Sequence, residues 1–223
     1  MGHAQKVIHF DFQNRTKVKS ENTRTVKKIG EGLIRSGNIG EVDALRIKME
    51  EATSETDLRA RIVLEFLCRF GMRASELALL RKSDFVQDAD GNHLLRFYRP
   101  KRKDYHSVKI STVAKGELLA MIEAYHLEGK IEKVQKQDHI LFSVKHPLTK
   151  IRTKLTTRSL QTIVNGFGLR DGRGKLLAPH GLRHYAGIRM TKERDHIAGS
   201  KLLGNSSEVF SQYYSDPSTE ALD

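Results

Sequence analysis

The stretch APHGLRHYAGIRM, residues 178–190, raises the question on which the fold and the function of the chain depend. It follows helical spacing after a proline and places a polar set on one face, at intervals of three and four residues: His180, Arg183 and His184. An apolar set falls on another face, as expected of a stripe that packs on a core: Leu182, Ala186 and Met190. Cationic and titratable groups clustered on a packed helix are costly unless an anion lies opposite them. The stretch therefore predicts either a solvated face or an anion site.

The composition of the chain favours a nucleic-acid partner. Among 223 residues there are 39 Lys and Arg against 27 Asp and Glu, a net charge of +12. A cationic surplus of this size favours an extended polyanion as the partner. An acidic membrane is the alternative, but no basic amphipathic run adjoins an apolar anchor. With 38% hydrophobic residues, the chain has enough apolar material for the core of one sizeable domain.

Targeting and redox signals point to an intracellular protein. No apolar stretch reaches about 18 residues, and the N-terminal MGHAQKVIHF lacks the core of a signal peptide. The single cysteine, Cys68, excludes an intrachain disulfide and a cysteine-based zinc site. Its neighbours, IVLEFLCRF, predict a buried thiol rather than a nucleophile.

The pattern along the chain predicts a mostly α-helical α+β protein with a small antiparallel β-sheet. Residues 1–37 are polar and basic, and we expect them to be an N-terminal tail or linker remnant ahead of a main domain, residues 38–223. A helix is predicted in SETDLRARIVLEFLCRF, with Ser54 or Thr56 as its N-cap and Gly71 as its end. A second begins at SELALL, capped by Ser75 or a residue just before it.

The middle of the chain predicts a hairpin. After the turn signal DADGN, two strand-like runs, HLLRFYR and YHSVKIS, flank PKRKD. Residues 138–144, DHILFSV, are a candidate short strand, and a helix is expected from about Thr157 to Phe167. Beyond it, GLRDGRGK is a glycine-rich turn that does not open an apolar helix after a strand, so we predict no nucleotide-binding loop.

Four separated segments carry charged or reactive side chains: FGMRASEL, PKRKD, the stretch at 178–190, and KLLGNSSEVFSQYYSD. Taken singly, they are ordinary surface arginines, a solvated turn and packed aromatic residues. Taken together, their order and spacing need one explanation. The side chains that they supply are Arg73, Glu76, Lys101, Arg102, Lys103, His180, Arg183, Asn205, Tyr213 and Tyr214.

In this order the segments resemble the tyrosine recombinase family of the phage-integrase type, over about residues 40–216. Gly71–Leu77 matches the family's Gly-x-Arg-x-x-Glu-Leu, and His180–His184 matches its His-x-Leu-Arg-His. The resemblance makes residues 38–223 the catalytic domain and implies this catalytic set: Arg73, Lys101, His180, Arg183, Asn205 and Tyr214. Counting back from the second strand favours Lys101 over Lys103 as the hairpin lysine. A spacing of nine residues from Asn205 favours Tyr214 over Tyr213 as the nucleophile.

These residue types suit the transfer of a phosphodiester to a tyrosine. Arg73 and Arg183 can pair with non-bridging oxygens and stay charged at any working pH. Tyr214, with an ordinary pKa of about 10, needs cationic surroundings and a proton acceptor such as His180. Lys101 can protonate the departing 5′ oxygen. Asn205 stands where the family most often has His or sometimes Trp; it can donate a hydrogen bond to a phosphate but cannot titrate.

The resemblance implies DNA cleavage and rejoining through a 3′-phosphotyrosyl intermediate, with no cofactor, metal or nucleotide. The expected partners are double-stranded DNA and further copies of the chain, as a tetramer on paired sites. A basic segment is expected to contact phosphates: Lys145, His146, Lys150, Arg152, Lys154 and Arg158. Two alternatives stay open, a type IB topoisomerase and a DNA-binding protein with a decayed site, and Asn205 is the main argument for the second.

Overall fold

The computed structural model describes residues 34–131, 138–146, 148–149, 151–206 and 210, and that part of the chain is mostly helical with one small sheet. The predicted α+β class is confirmed. None of the described helices is long and apolar enough to cross a membrane. The α-helices are α1 (Ile39–Lys48), α2 (Glu55–Phe70), α3 (Ala74–Leu77), α4 (Thr112–Glu128), α5 (Thr157–Gly166), α6 (Pro179–Glu193) and α7 (His196–Leu203); short 3₁₀ turns cover Met49–Glu51 and Lys82–Asp84.

Helix α2 lies at the centre of the core, because it packs against α4, α5 and α6. Its start is the predicted one: the Ser54 hydroxyl accepts a 3.1 Å bond from the backbone N–H of Asp57. Its end is also the predicted one, since Gly71 adopts a left-handed φ of +57°. Between them the helix buries apolar side chains along most of its length, including Cys68, whose pKa is raised by desolvation.

The sheet has the order β1-β2-β3, with strands Phe85–Gln87, His93–Arg99 and Asp104–Lys109, all antiparallel. The predicted hairpin is confirmed as β2 and β3, and β1 was not predicted. Leu95, Phe97 and Arg99 are buried, whereas the alternating Arg96 and Tyr98 face solvent. The turn before β2 is closed by the Asp88 carboxylate, which accepts from the backbone of Asn92 at 2.8 Å.

Two local predictions were wrong, and one choice that the sequence left open is decided. Residues 138–144 form no named strand; they make isolated bridges from His139 to Arg81 and from Phe142 to Lys154. Helix α3, whose cap was predicted as Ser75 or a residue just before it, is capped by Arg73, and Ser75 lies inside the helix. Helix α6 has no separate polar face over its first half, because Arg183 and His184 are buried together with the apolar residues from position 181 to 188.

Candidate active site

Arg73 is positioned by the turn between α2 and α3. It caps α3, and the carboxylate of Glu76 accepts bonds from both its backbone N–H and its Nη1, each at 2.7 Å. Glu76 is only 1% exposed, so this anion lies inside the protein while the Arg73 side chain keeps 23% of its surface. A spacing of three residues allows Glu76 to pair with Arg73, and the structure shows that pairing. Glu76 accepts from the N-cap backbone as the glutamate of a capping box does, which explains why a glutamate follows Arg73 by three residues.

Arg183 joins three parts of the fold from the inside of α6. Its Nη1 donates to the carbonyl of Gly71 at the end of α2, and its Nη2 donates to the carbonyl of Leu203 at the end of α7. Nη1 also lies 3.9 Å from Oε2 of Glu76, which therefore lies between the two arginines. The structure thus brings Arg73 and Arg183 together. The sequence predicted that Arg183 lies on a polar face of the helix. In the structure Arg183 is only 4% exposed and bonds to main-chain carbonyls.

His180 lies one turn before Arg183 and stays exposed, with its ring 4.3 Å from that of His184 between centroids. Desolvation and the charges of Arg183, Arg35, Arg73 and Lys101 lower the pKa of His180 to about 4. His180 is therefore a neutral imidazole at pH 7, with one unprotonated ring nitrogen. Desolvation and the neighbouring His180 lower the pKa of the buried His184 to about 3, so it packs as a neutral support.

An open depression of about 490 Å³ lies beside these groups. Arg73 and His180 contribute to its wall together with the first residues of α5, among them Arg158. Two arginines and an imidazole in its wall supply groups that can bind an anion. The full lining is Arg73, Ala74, Ser75, Thr157, Arg158, Gln161, Ala178, Pro179 and His180.

Lys101 lies in the turn between β2 and β3. The backbone N–H groups of Arg102 and Lys103 both donate to the carbonyl of Arg99, at 3.0 and 2.8 Å, and Lys103 takes a left-handed φ of +56°. Lys101 is exposed, and its charge is among those that lower the pKa of His180, which places it within electrostatic range of the imidazole. The choice of Lys101 over Lys103 as the hairpin lysine stays a prediction.

Asn205 follows the end of α7. Gly204 takes a left-handed φ of +59°, and the N–H of Asn205 then donates to the carbonyl of Ser200 at 3.0 Å. Asn205 is half-buried and lies two residues beyond the carbonyl that holds Arg183. The two candidate nucleophiles, Tyr213 and Tyr214, lie outside the described residues.

Arg35 belongs to the same neighbourhood, which the sequence did not indicate. The carbonyl of Ile34 accepts from the N–H of Gly172 at 2.8 Å, and a Cβ at Gly181 would lie 2.7 Å from the carbonyl of Arg35. The segment therefore crosses the start of α6, and the charge of Arg35 helps to lower the pKa of both His180 and His184. An arginine in a polar stretch has no local signal that predicts such a long-range contact.

The basic segment after position 144 has two kinds of member. Arg152 is buried and donates to both carboxylate oxygens of Glu55, at 2.6 and 2.9 Å, and to the carbonyl of Gly129 at 2.7 Å. Its prediction as a phosphate contact was wrong, because its guanidinium holds α2 to the end of α4. The exposed members are Lys145, His146, Lys154 and Arg158; Lys150 lies outside the described residues.

The paired arginines, the neighbouring imidazole and the hairpin lysine occur in a chain whose residues 40–220 match the model of the phage integrase family. The chain belongs to the phage integrase family. The resemblance found in the sequence is thereby confirmed. Transposase B from transposon Tn554 of Staphylococcus aureus is 28% identical over 156 residues, which are 68% of this chain and 24% of that protein.

Solved structures of integrase-type proteins share the fold. The XerH site-specific recombinase bound to its difH substrate, in a pre-cleavage complex, superposes with a TM-score of 0.59 at 20% identity, over 85% of this chain and 52% of that one. Lambda integrase (residues 75–356) bound to DNA gives a TM-score of 0.53 at 16% identity, over 87% and 62%. The chain thus spans about a quarter of the curated relatives that it matches and about half of XerH.

Proposed function

We propose that this phage integrase family member is a site-specific DNA recombinase, which cleaves and rejoins double-stranded DNA through a 3′-phosphotyrosyl intermediate. The observation that carries the proposal is the convergence of Arg73 and Arg183 on Glu76, with His180 one helical turn away. Residues 38–223 act as the catalytic domain. The relatives act on DNA or are described as a transposase, which supports duplex DNA as the substrate and a mobile element as the context.

Each proposed catalytic side chain has one task. Tyr214 attacks the phosphorus while His180, neutral at pH 7, accepts the phenolic proton. The cations of Arg73 and Arg183 stabilise the charge that develops on the non-bridging oxygens, and Asn205 donates a hydrogen bond to one of them. As the bond from phosphorus to the 5′ oxygen breaks, Lys101 supplies a proton to that oxygen. The new phosphotyrosine ester replaces the old phosphodiester, and attack by a 5′ hydroxyl reverses the step.

Glu76 has a supporting role in this scheme. Two guanidinium groups close together repel each other, and a buried carboxylate between them holds both cations near one site. Binding of a phosphate then needs no further movement of Arg73 against its neighbour, which is the preorganisation that electrostatic catalysis requires. Assembly of further copies on paired sites, as a tetramer inside the cell, belongs to the same proposal.

Trapping of the covalent intermediate tests this function. The chain is mixed with a pool of labelled duplexes of randomised sequence, each nicked so that the short cleaved end diffuses away, and protein-linked DNA is isolated after denaturation. We expect an adduct whose linked peptide contains Tyr214. The Y214F variant should give no adduct and should keep salt-sensitive DNA binding, because only the nucleophile is lost.

The Y213F variant is the matched control, and it should still form the adduct. Adduct formation by Y214F but not by Y213F would move the nucleophile to Tyr213. Salt-sensitive binding without any adduct would contradict the recombinase and favour a binding protein with a decayed site. Relaxation of supercoiled plasmid without a preferred cleavage sequence would favour the topoisomerase.

A further inference from the structure

Arg99, at the end of β2, closes the hairpin turn with both its side chain and its backbone. Its Nε and Nη2 donate to the two carboxylate oxygens of Asp104, at 2.7 and 2.5 Å, while its carbonyl accepts from Arg102 and Lys103. Arg99 therefore makes hydrogen bonds that close the turn that carries Lys101, one set from its side chain and one to its carbonyl. Arg99 is 7% exposed, although it neighbours an open loop.

The guanidinium of Arg99 also packs on the end of α7. A Cβ at Gly204 would lie 2.2 Å from Nη1 of Arg99, closer than any side chain is tolerated, so the arginine occupies the space that glycine leaves. On the next strand, the ring of His106 contacts the carbonyl of Leu202 at 3.2 Å. Arg99 and His106 of the hairpin thus pack against residues 202–204, directly before Asn205.

The same end of α7 holds the buried arginine of the site. The carbonyl of Leu203 accepts from Arg183, and Gly204 supports Arg99 from the next position. The position of the hairpin relative to Arg183 therefore depends on two adjacent residues. An exposed lysine on a turn of four residues has no comparable restraint of its own.

We propose that Arg99 is a positioning residue, whose pairing with Asp104 and packing on Gly204 hold Lys101 where it can protonate the leaving 5′ oxygen. The inference rests on the proposed function. In that step the bond from phosphorus to the 5′ oxygen breaks, the oxygen takes a proton from the Lys101 ammonium, and the lysine becomes a neutral amine. Nothing in the assignment requires Arg99 to touch the DNA.

A leaving group that needs no proton separates positioning of Lys101 from general damage. A thiol has a pKa of about 8.5, so a bridging 5′ sulfur leaves as a thiolate without an acid. The experiment compares cleavage rates on nicked duplexes with a 5′ oxygen and a 5′ bridging sulfur, built on the sequence selected by adduct trapping. For R99A we expect the rate to fall about 100-fold with oxygen and to return to within about 5-fold of the wild type with sulfur, as expected for loss of an acid.

Three controls accompany R99A. K101A should show the same oxygen-specific loss, because it removes the proposed acid itself. R96A removes an arginine of the same strand. The Arg96 guanidinium faces solvent and stacks on the ring of Tyr105 at 4.9 Å, so if R96A slows cleavage, the bridging sulfur should not restore the rate. R99K keeps the charge but cannot make the bidentate pair with Asp104, so its cleavage rate on the oxygen substrate should lie between those of R99A and the wild type.

The outcomes distinguish this inference from the function on which it rests. The positioning role would be overturned if sulfur restored cleavage by K101A while R99A were equally slow on both substrates. That result would leave the proposed recombinase function intact. Absence of an adduct from the wild type on both substrates would overturn the proposed function. Thermal melting checks that R99A is folded. If it is not, D104N replaces it, because it weakens the same pairing from the exposed side, and the same sulfur dependence is expected.

Discussion

Glu76 carries its negative charge in a place with almost no access to water, 2.7 Å from Arg73 and 3.9 Å from Arg183. A buried ion pair adds little net stability compared with apolar residues, because both charges lose their hydration. Removal of one partner is different, since the remaining charges stay buried without compensation. Glu76 is therefore a residue whose loss should destabilise the fold and the site together.

We predict that E76A lowers the free energy of unfolding by about 2–3 kcal/mol, because it leaves Arg183 buried beside a second cation. E76Q should cost less, since its amide oxygen can still accept from Arg73. Urea denaturation followed by circular dichroism measures both variants. The matched control is E117A, whose carboxylate pairs with Arg69 at 3.7 Å but is 63% exposed; it should change stability by at most about 0.5 kcal/mol. Equal effects of E76A and E117A would contradict this account of Glu76.

At the scale of elements, the end of α2 decides where Arg73 can lie. Gly71 has a φ of +57°, its carbonyl accepts from Arg183, and a Cβ at that position would lie 2.4 Å from Cδ2 of Leu203. The glycine thus serves a backbone turn and a close contact between α2 and α7 at the same time.

The G71A variant should therefore lose about 2–3 kcal/mol of unfolding free energy, from the left-handed conformation and from the displaced Leu203. Chemical denaturation gives the value. G116A is the matched control: Gly116 lies inside α4 with nothing within 4 Å of its added Cβ, so alanine should raise stability by about 0.5–1 kcal/mol. A G71A protein as stable as the wild type would show that the end of α2 can rearrange.

Elements that carry their own local signal were predictable from the sequence. Ser54 and Gly71 delimit α2 because an N-cap hydroxyl and a left-handed glycine act within a few residues. β2 and β3 show alternation over six or seven residues, whereas β1, with three residues, is too short to show a period. Residues 138–144 are apolar enough for a strand but find no continuous partner.

Contacts in the candidate site also divide into those that a local sequence pattern predicts and those that it does not. The pairing of Arg73 with Glu76 follows from a spacing of three residues, so sequence alone could indicate it. The bond from Arg183 to the carbonyl of Gly71 and the approach of Arg35 to Gly181 depend on packing between residues more than 100 positions apart, for which the chain carries no local pattern. Arg152 was misassigned for this reason: its partner Glu55 is 97 positions away.

For the whole molecule, the net charge of +12 is not one uniform DNA-binding surface. Arg152 holds α2 to the end of α4, whereas Arg158 is exposed in the wall of the depression beside Arg73. We predict that R158A weakens DNA binding and lowers the slope of log K against log salt by about 1. R152A should keep that slope while losing about 2–4 kcal/mol of stability. Fluorescence anisotropy across a salt series and urea unfolding test the pair; a reduced slope for R152A would show that it meets phosphate after all.

The acceptors for Arg183 are the main-chain oxygens of residues 71 and 203, which every amino acid possesses. Substitution of either side chain can alter the packing but cannot delete the acceptor. As homologues diverge, substitutions at positions 71 and 203 leave both acceptors in place, so covariation across an alignment should be silent about these two bonds. Maps of residue pairs inferred from evolution alone would therefore miss the two main-chain bonds that hold Arg183.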